Sequence, residues 1–160
     1  MSLQTVGLTA LFCLLPISEL RGAIPFGMAK DIPLSFLVPF CIILNALVGP
    51  IVYLFLSTFH KLLSRLSGYQ RIFEKIVARA RHRVHAKVEK YGYLGLVLFV
   101  AIPLPITGAY TGTLGAWVLG LDPKKTYLAV LLGVCIAAAV VTLVSYLGIE
   151  ALSLFVKQVD

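Results

Sequence analysis

Glu19 and Arg21 place a carboxylate and a guanidinium two positions apart inside an otherwise apolar run, Ser18-Glu19-Leu20-Arg21-Gly22-Ala23-Ile24-Pro25. A charge at the centre of a membrane helix costs about 2.5–3.5 kcal/mol on insertion scales, so such residues are kept where they pair, face a wet cavity or bind something. Arg21 offers a planar fork suited to phosphate or carboxylate. Glu19 can exchange a proton during transport, or hold Arg21 in place as a structural partner. On a continuous helix the two side chains would point about 200° apart. Pro16, Gly22 and Pro25 surround them, which predicts a helix broken where the charges lie, so that both can turn into one cavity.

A second stretch, Pro103 to Gly115, carries no charge. Its polarity comes from Thr107, Tyr110, Thr111, Thr113 and the backbone groups freed beside Pro103 and Pro105. N–H groups at the start of a half-helix bind anions readily. Gly108, Gly112 and Gly115 also supply a small-residue face for close helix packing, and the two readings are compatible. The candidate substrate-binding residues are Glu19, Arg21, Gly22, Pro25, Pro103, Pro105, Thr107, Gly108, Tyr110 and Thr111.

The elements that must hold these groups are membrane helices. The chain has 160 residues, 59% of them hydrophobic and 13% charged, where an ordinary soluble domain is about 25% charged. So small a body cannot hide that much apolar surface from water, and the fold class is all-α integral membrane. Cys13, Cys41 and Cys135 lie inside apolar segments without ligand-like spacing and read as buried small hydrophobes. His82 and His85 have no third ligand nearby, so no metal or cofactor is expected. No Ser-His-Asp set, paired-carboxylate site or nucleotide loop is found, so catalysis and ATP-driven pumping by this chain are not expected. With no Lys or Arg before Arg21 and no small-x-small site, a cleaved signal peptide is not expected either.

Four hydrophobic blocks follow one another: Val6 to Ala29, broken at 16–25; Leu34 to Leu56, whole; Tyr93 to Leu121, broken at Pro103 and Pro105; and Tyr127 to Val156, whole. About 20 apolar residues span a bilayer as a helix, which the whole blocks supply. Broken-then-whole occurs twice. Gly22-Ala23 matches Gly108-Ala109, and each break is followed by an Asp and a Pro (Asp31 and Pro33; Asp122-Pro123). Paired interrupted segments in corresponding positions point to the site of an inverted-repeat transporter. The expected division is 1–58 as first half, 59–90 as connector and 91–160 as second half within one membrane domain.

The connector holds nine of the 14 basic residues, from Lys61 to Lys90, and is therefore expected on the cytoplasmic side. If all four blocks crossed, Lys124-Lys125 would fall outside; if the broken blocks are re-entrant hairpins, these lysines join the connector inside. The positive-inside rule favours the hairpins. Non-helical backbone at membrane depth must be covered by protein or line a cavity, so the two breaks are expected to face each other. Arg71, Lys75, Arg79, Arg83 and Lys87 recur every four residues as a basic stripe, suited to the anionic leaflet of the bilayer. Nucleic acid is not an expected partner, because the stripe has little aromatic interleaving. A homodimer would help shield the breaks from lipid.

At the two breaks, Ser18 to Pro25 and Ala101-Ile102-Pro103-Leu104-Pro105-Ile106-Thr107-Gly108-Ala109-Tyr110-Thr111-Gly112, the sequence resembles the prokaryotic small multidrug export proteins. The resemblance covers nearly the whole chain, with Ile106 where glycine is more usual. That family looks distantly like the DedA superfamily, in which two oppositely inserted hairpins form the core and several members move polyprenyl-phosphate or phospholipid. The resemblance implies a multi-pass protein of a prokaryotic inner (plasma) membrane. It further implies a proton-linked flippase of a lipid-linked phosphate, with Arg21 gripping the head and Glu19 protonatable. DedA-like sequences usually have an arginine in the second hairpin, where this chain has Thr107 and Gly108. Export of small cationic amphiphilic drugs and a non-transporting membrane scaffold are the alternatives.

Overall fold

A computed structural model describes residues 2–58, 67–103 and 107–157. All the secondary structure among them is helical. The order is α1 (Leu3–Leu14), α2 (Glu19–Ala29), α3 (Leu34–Thr58), α4 (Ser67–Tyr91), α5 (Tyr93–Ala101), α6 (Ala109–Val118) and α7 (Pro123–Lys157). Among the described residues two helices are long and apolar enough to cross a membrane, Leu34–Thr58 and the Pro123–Ile149 part of α7. With 12, 11, 9 and 10 residues, α1, α2, α5 and α6 each fall short of the roughly 20 needed. Short, short, long therefore occurs twice.

The boundaries follow local chemistry. The Ser2 hydroxyl accepts from the Thr5 N–H at the start of α1, and Pro16, which has no N–H to extend the ladder, follows its end. Asp122 Oδ1 accepts from the Lys125 N–H at 2.9 Å, capping α7, with Pro123 at the first helical position, where a missing N–H costs nothing. Gly92, at φ 58, turns α4 into α5 through backbone space that a side chain would resist. Pro25 lies within α2, and Pro39 and Pro50 within α3.

α1 packs on α2, α2 on α3 and α7, α5 along α7, and α6 on α3. Leu20, Ile24, Leu37, Leu96, Phe99 and Val130 fill the interior. Ile43, Leu47 and Leu54 on α3 and Leu128, Leu132 and Leu143 on α7 face outward. Long helices with apolar outer faces are what a lipid solvent selects. Cys13 and Cys41 are buried as expected, whereas Cys135 is exposed on that outer face of α7. A thiol is apolar enough to face lipid as readily as protein.

Helix α4 is the expected connector helix, and it is seated on α5 and α6. Ala80 and Val84 are buried. A Cβ at Gly115 of α6 would meet Val84 Cβ at 2.8 Å, so the two helices touch through a glycine. Within the basic stripe, Lys75 and Arg79 are exposed, while Lys87 is half-buried with Nζ 5.6 Å above the Phe99 ring, a cation–π contact. The side chains of Arg71 and Arg83 lie outside the described residues. Lys75 and Arg79 thus face outward from a helix whose apolar side is covered at Ala80 and Val84 and exposed at Ile76.

Candidate functional site

The tip of the α1–α2 hairpin meets the break between α5 and α6. Glu19 opens α2 at φ 49, a left-handed backbone that costs a residue with a Cβ about 1–2 kcal/mol. The residue is 5% exposed. Its carboxylate crosses to the second half, where Oε2 accepts from the Ala109 N–H and Oε1 from the Tyr110 N–H, both at 3.3 Å. These are orphan donors at the start of α6, and an anion there is favoured by both the free N–H groups and the helix dipole.

Arg21 does the converse. Its Nη2 donates to the carbonyls of Val100 at 3.4 Å and Ile102 at 3.3 Å. Val100 lies in the last turn of α5 and Ile102 is its C-cap, so both carbonyls stand at the negative end of a helix. The two charges thus reach opposite ends of the same break. A helix interrupted at Pro103 exposes both kinds of terminus inside the fold, and one residue pair from the other half caps both.

The remaining expected residues divide clearly. The Thr107 hydroxyl donates to the Ile102 carbonyl at 2.9 Å and helps close the break. Gly108, next to the carboxylate, is buried. A Cβ there would lie 2.6 Å from Glu19 Oε1 and closer still to Oε2. Besides its N–H, Tyr110 contributes its hydroxyl, which donates to the Leu14 carbonyl at 2.6 Å. The structure brings Glu19, Arg21, Gly108 and Tyr110 together. Gly22 and Pro25 sit along α2 behind the junction, Pro103 follows α5, and Thr111 is half-buried on α6. Pro105 lies outside the described residues.

One residue was not singled out from sequence. Asn45, on α3, is fully buried and donates through Nδ2 to the Cys13 carbonyl at 2.8 Å. It thereby caps the end of α1 beside the carbonyl that Tyr110 holds. A lone amide in an otherwise apolar helix is the signal that would have found it. Among the described residues no group of three His, Cys, Asp or Glu side chains stands where an ion could be held.

A family model described as Putative small multi-drug export protein matches residues 19–140, a span that opens on Glu19 and includes the second break. No curated protein and no solved structure matches the chain.

Proposed function

The chain belongs to the Putative small multi-drug export protein family, a membrane-export family, and from that premise we propose that it is a proton-linked transporter whose working part is the Glu19 cap on α6. The carrying observation is the buried carboxylate seated on the Ala109 and Tyr110 N–H groups. It occupies the place that an anionic substrate head would take at a helix N-terminus. Protonation removes the charge and sets an O–H against groups that can only donate, so the cap weakens. The N-terminus of α6 is then open to an anion, with Arg21 beside it as a second donor and Thr107 and Thr111 nearby. Re-ionisation of Glu19 displaces the anion.

On this reading the substrate is a lipid-linked phosphate. An apolar groove of about 340 Å³ beside Pro25, lined also by Ala29, Ser145, Gly148 and Ile149, suits the tail of such an amphiphile. Export of small cationic amphiphiles is the second reading, and the family description favours it. There Glu19 is the exchanging carboxylate, and Arg21 opposes the substrate's charge. In liposomes, translocation of a labelled polyprenyl-phosphate that falls at least about tenfold in Arg21→Ala is expected. Undiminished flux in Arg21→Ala would discard the phosphate grip. Dye export driven by a pH gradient, lost in Glu19→Gln and kept in Arg21→Ala, would establish the second reading. Flux of neither kind would leave a scaffold.

The topology we infer has the two hairpins entering from opposite faces, with α3 and α7 crossing, α4 cytoplasmic, and the whole lying in a prokaryotic plasma membrane. In a cysteine-free background, Lys30→Cys should react with an impermeant thiol reagent from outside and Lys124→Cys from inside. Labelling of both from the same face would overturn the paired re-entry.

A further inference from the structure

Polar contacts continue past Glu19 in one direction. Glu19 holds the N–H of Tyr110, whose hydroxyl holds the Leu14 carbonyl. The neighbouring Cys13 carbonyl is held by Asn45. Near the end of these contacts stand three of the buried atoms with no protein partner among the described residues: Asn45 Oδ1, Thr113 Oγ1 and Thr126 Oγ1. Asn45, Thr113 and Thr126 are each fully buried.

These atoms belong to one seam between α3, α6 and α7. Gly49 stands one turn from Asn45 on α3, and a Cβ there would lie 3.5 Å from Thr113 Oγ1 and 3.8 Å from Val130 Cγ1. Val130 in turn stands one turn from Thr126 on α7, so Thr126 shares the face that meets Gly49. On α6, Thr113 is one turn from Ala109, whose N–H caps Glu19. The row therefore runs from Glu19 to the first turn of α7. Buried polar atoms left unmatched by protein are the usual seats of internal water.

We propose that this seam holds a water relay that carries protons between the α7 end of the molecule and Glu19, with Thr126, Thr113 and Asn45 ordering the water. The proposal rests on Glu19 being the proton-accepting group. Each relay step passes one proton along hydrogen bonds: a proton leaves bulk water at the start of α7, and one arrives on a Glu19 oxygen. The threonine hydroxyls accept and donate in turn and end unchanged. Water fits better than a metal cation, since the seam's side chains are neutral. The ionisable groups around Glu19 are few. Arg21 lies on its own helix and Tyr110 on α6, with the thiols of Cys13 and Cys41 on α1 and α3. Neither α1, α3, α5 nor α6 carries a charged residue, and α7 has Lys124 and Lys125 in its first turn and no further charge before position 150.

The test uses the full chain in nanodiscs, following the carboxyl C=O stretch by infrared spectroscopy after a pH step, with the Glu19 band identified by its loss in Glu19→Gln. Thr113→Val keeps the side-chain shape and removes the hydroxyl. It should slow appearance of the band at least about tenfold, the effect of losing one good hydrogen bond from the route, and leave its final amplitude unchanged. Thr113→Ser should restore the rate. Appearance in Thr113→Val at the wild-type rate would overturn the relay while leaving Glu19 as the acceptor. Absence of any Glu19 band in the wild type would remove the acceptor and the relay with it. A raised melting temperature in Thr113→Val would show a dry seam, and would also overturn the proposal.

Discussion

Glu19→Ala is expected to abolish transport and to lower stability by about 3 kcal/mol, because it strips the cap from α6 and leaves one buried and one part-buried N–H group unmatched, each at about 1–3 kcal/mol. The two hydrogen bonds of 3.3 Å are long for N–H···O contacts, which places each loss toward the lower end of that range. Thermal unfolding in detergent reads the stability, and liposome flux reads the transport. Glu19→Gln should be milder in stability, since one amide oxygen still accepts from one of the two N–H groups, yet equally inactive in proton-linked flux. Glu19→Gly separates the cap from the backbone. It loses the same hydrogen bonds as alanine but relaxes the φ of 49, and so should melt above Glu19→Ala by about 1 kcal/mol of stability. Equal melting of the alanine and glycine variants would show that the left-handed turn stores nothing. Melting of Glu19→Ala at the wild-type temperature would show that the carboxylate does not hold the two halves together.

The parts of this arrangement that chain-local chemistry controls were legible in the residues. Pro16 and Pro103 stand just past the ends of α1 and α5, where a missing N–H stops the ladder, so two breaks were expected and two are found. The first is narrower than the expected 16–25: α2 runs from Glu19 through Gly22 and Pro25, so both charges lie in its first turn and not in broken backbone, a membrane helix tolerating a proline where its neighbours satisfy the freed groups. The roles of Glu19 and Arg21 were only half legible. Their cost in an apolar run marked them, but their partners lie 90 and about 80 positions away, and no periodicity reports such a distance. A helix does start at Ala109, as the break predicted, and the chain's own Glu19 carboxylate caps it. Asn45 escaped notice because an amide carries no charge to stand out among apolar neighbours. The seating of α4 was hidden for a different reason. A small apolar face made of Ala80 and Val84 has the same pattern whether lipid or another helix covers it, and only the match to Gly115 distinguishes them.

Gly108→Ala should reproduce the transport defect of Glu19→Gln without altering any charge. The added methyl would fall where the Glu19 carboxylate now rests. A flexible side chain yields before backbone does, so the carboxylate would swing off the Ala109 and Tyr110 N–H groups. The backbone itself makes no demand for glycine, since Gly108 is extended at φ 162. The requirement is therefore for space, and it exists only while Glu19 is present. A double-mutant cycle expresses this directly. Gly108→Ala alone should cost about 2 kcal/mol, the loss of a carboxylate cap at a partly buried helix start. In a Glu19→Ala background the same substitution should cost close to nothing, because the atoms that it would strike are gone. Melting temperatures of the four proteins give the coupling. Costs that simply add would mean that Gly108 is kept for another reason, and that the two broken segments are not joined through this carboxylate.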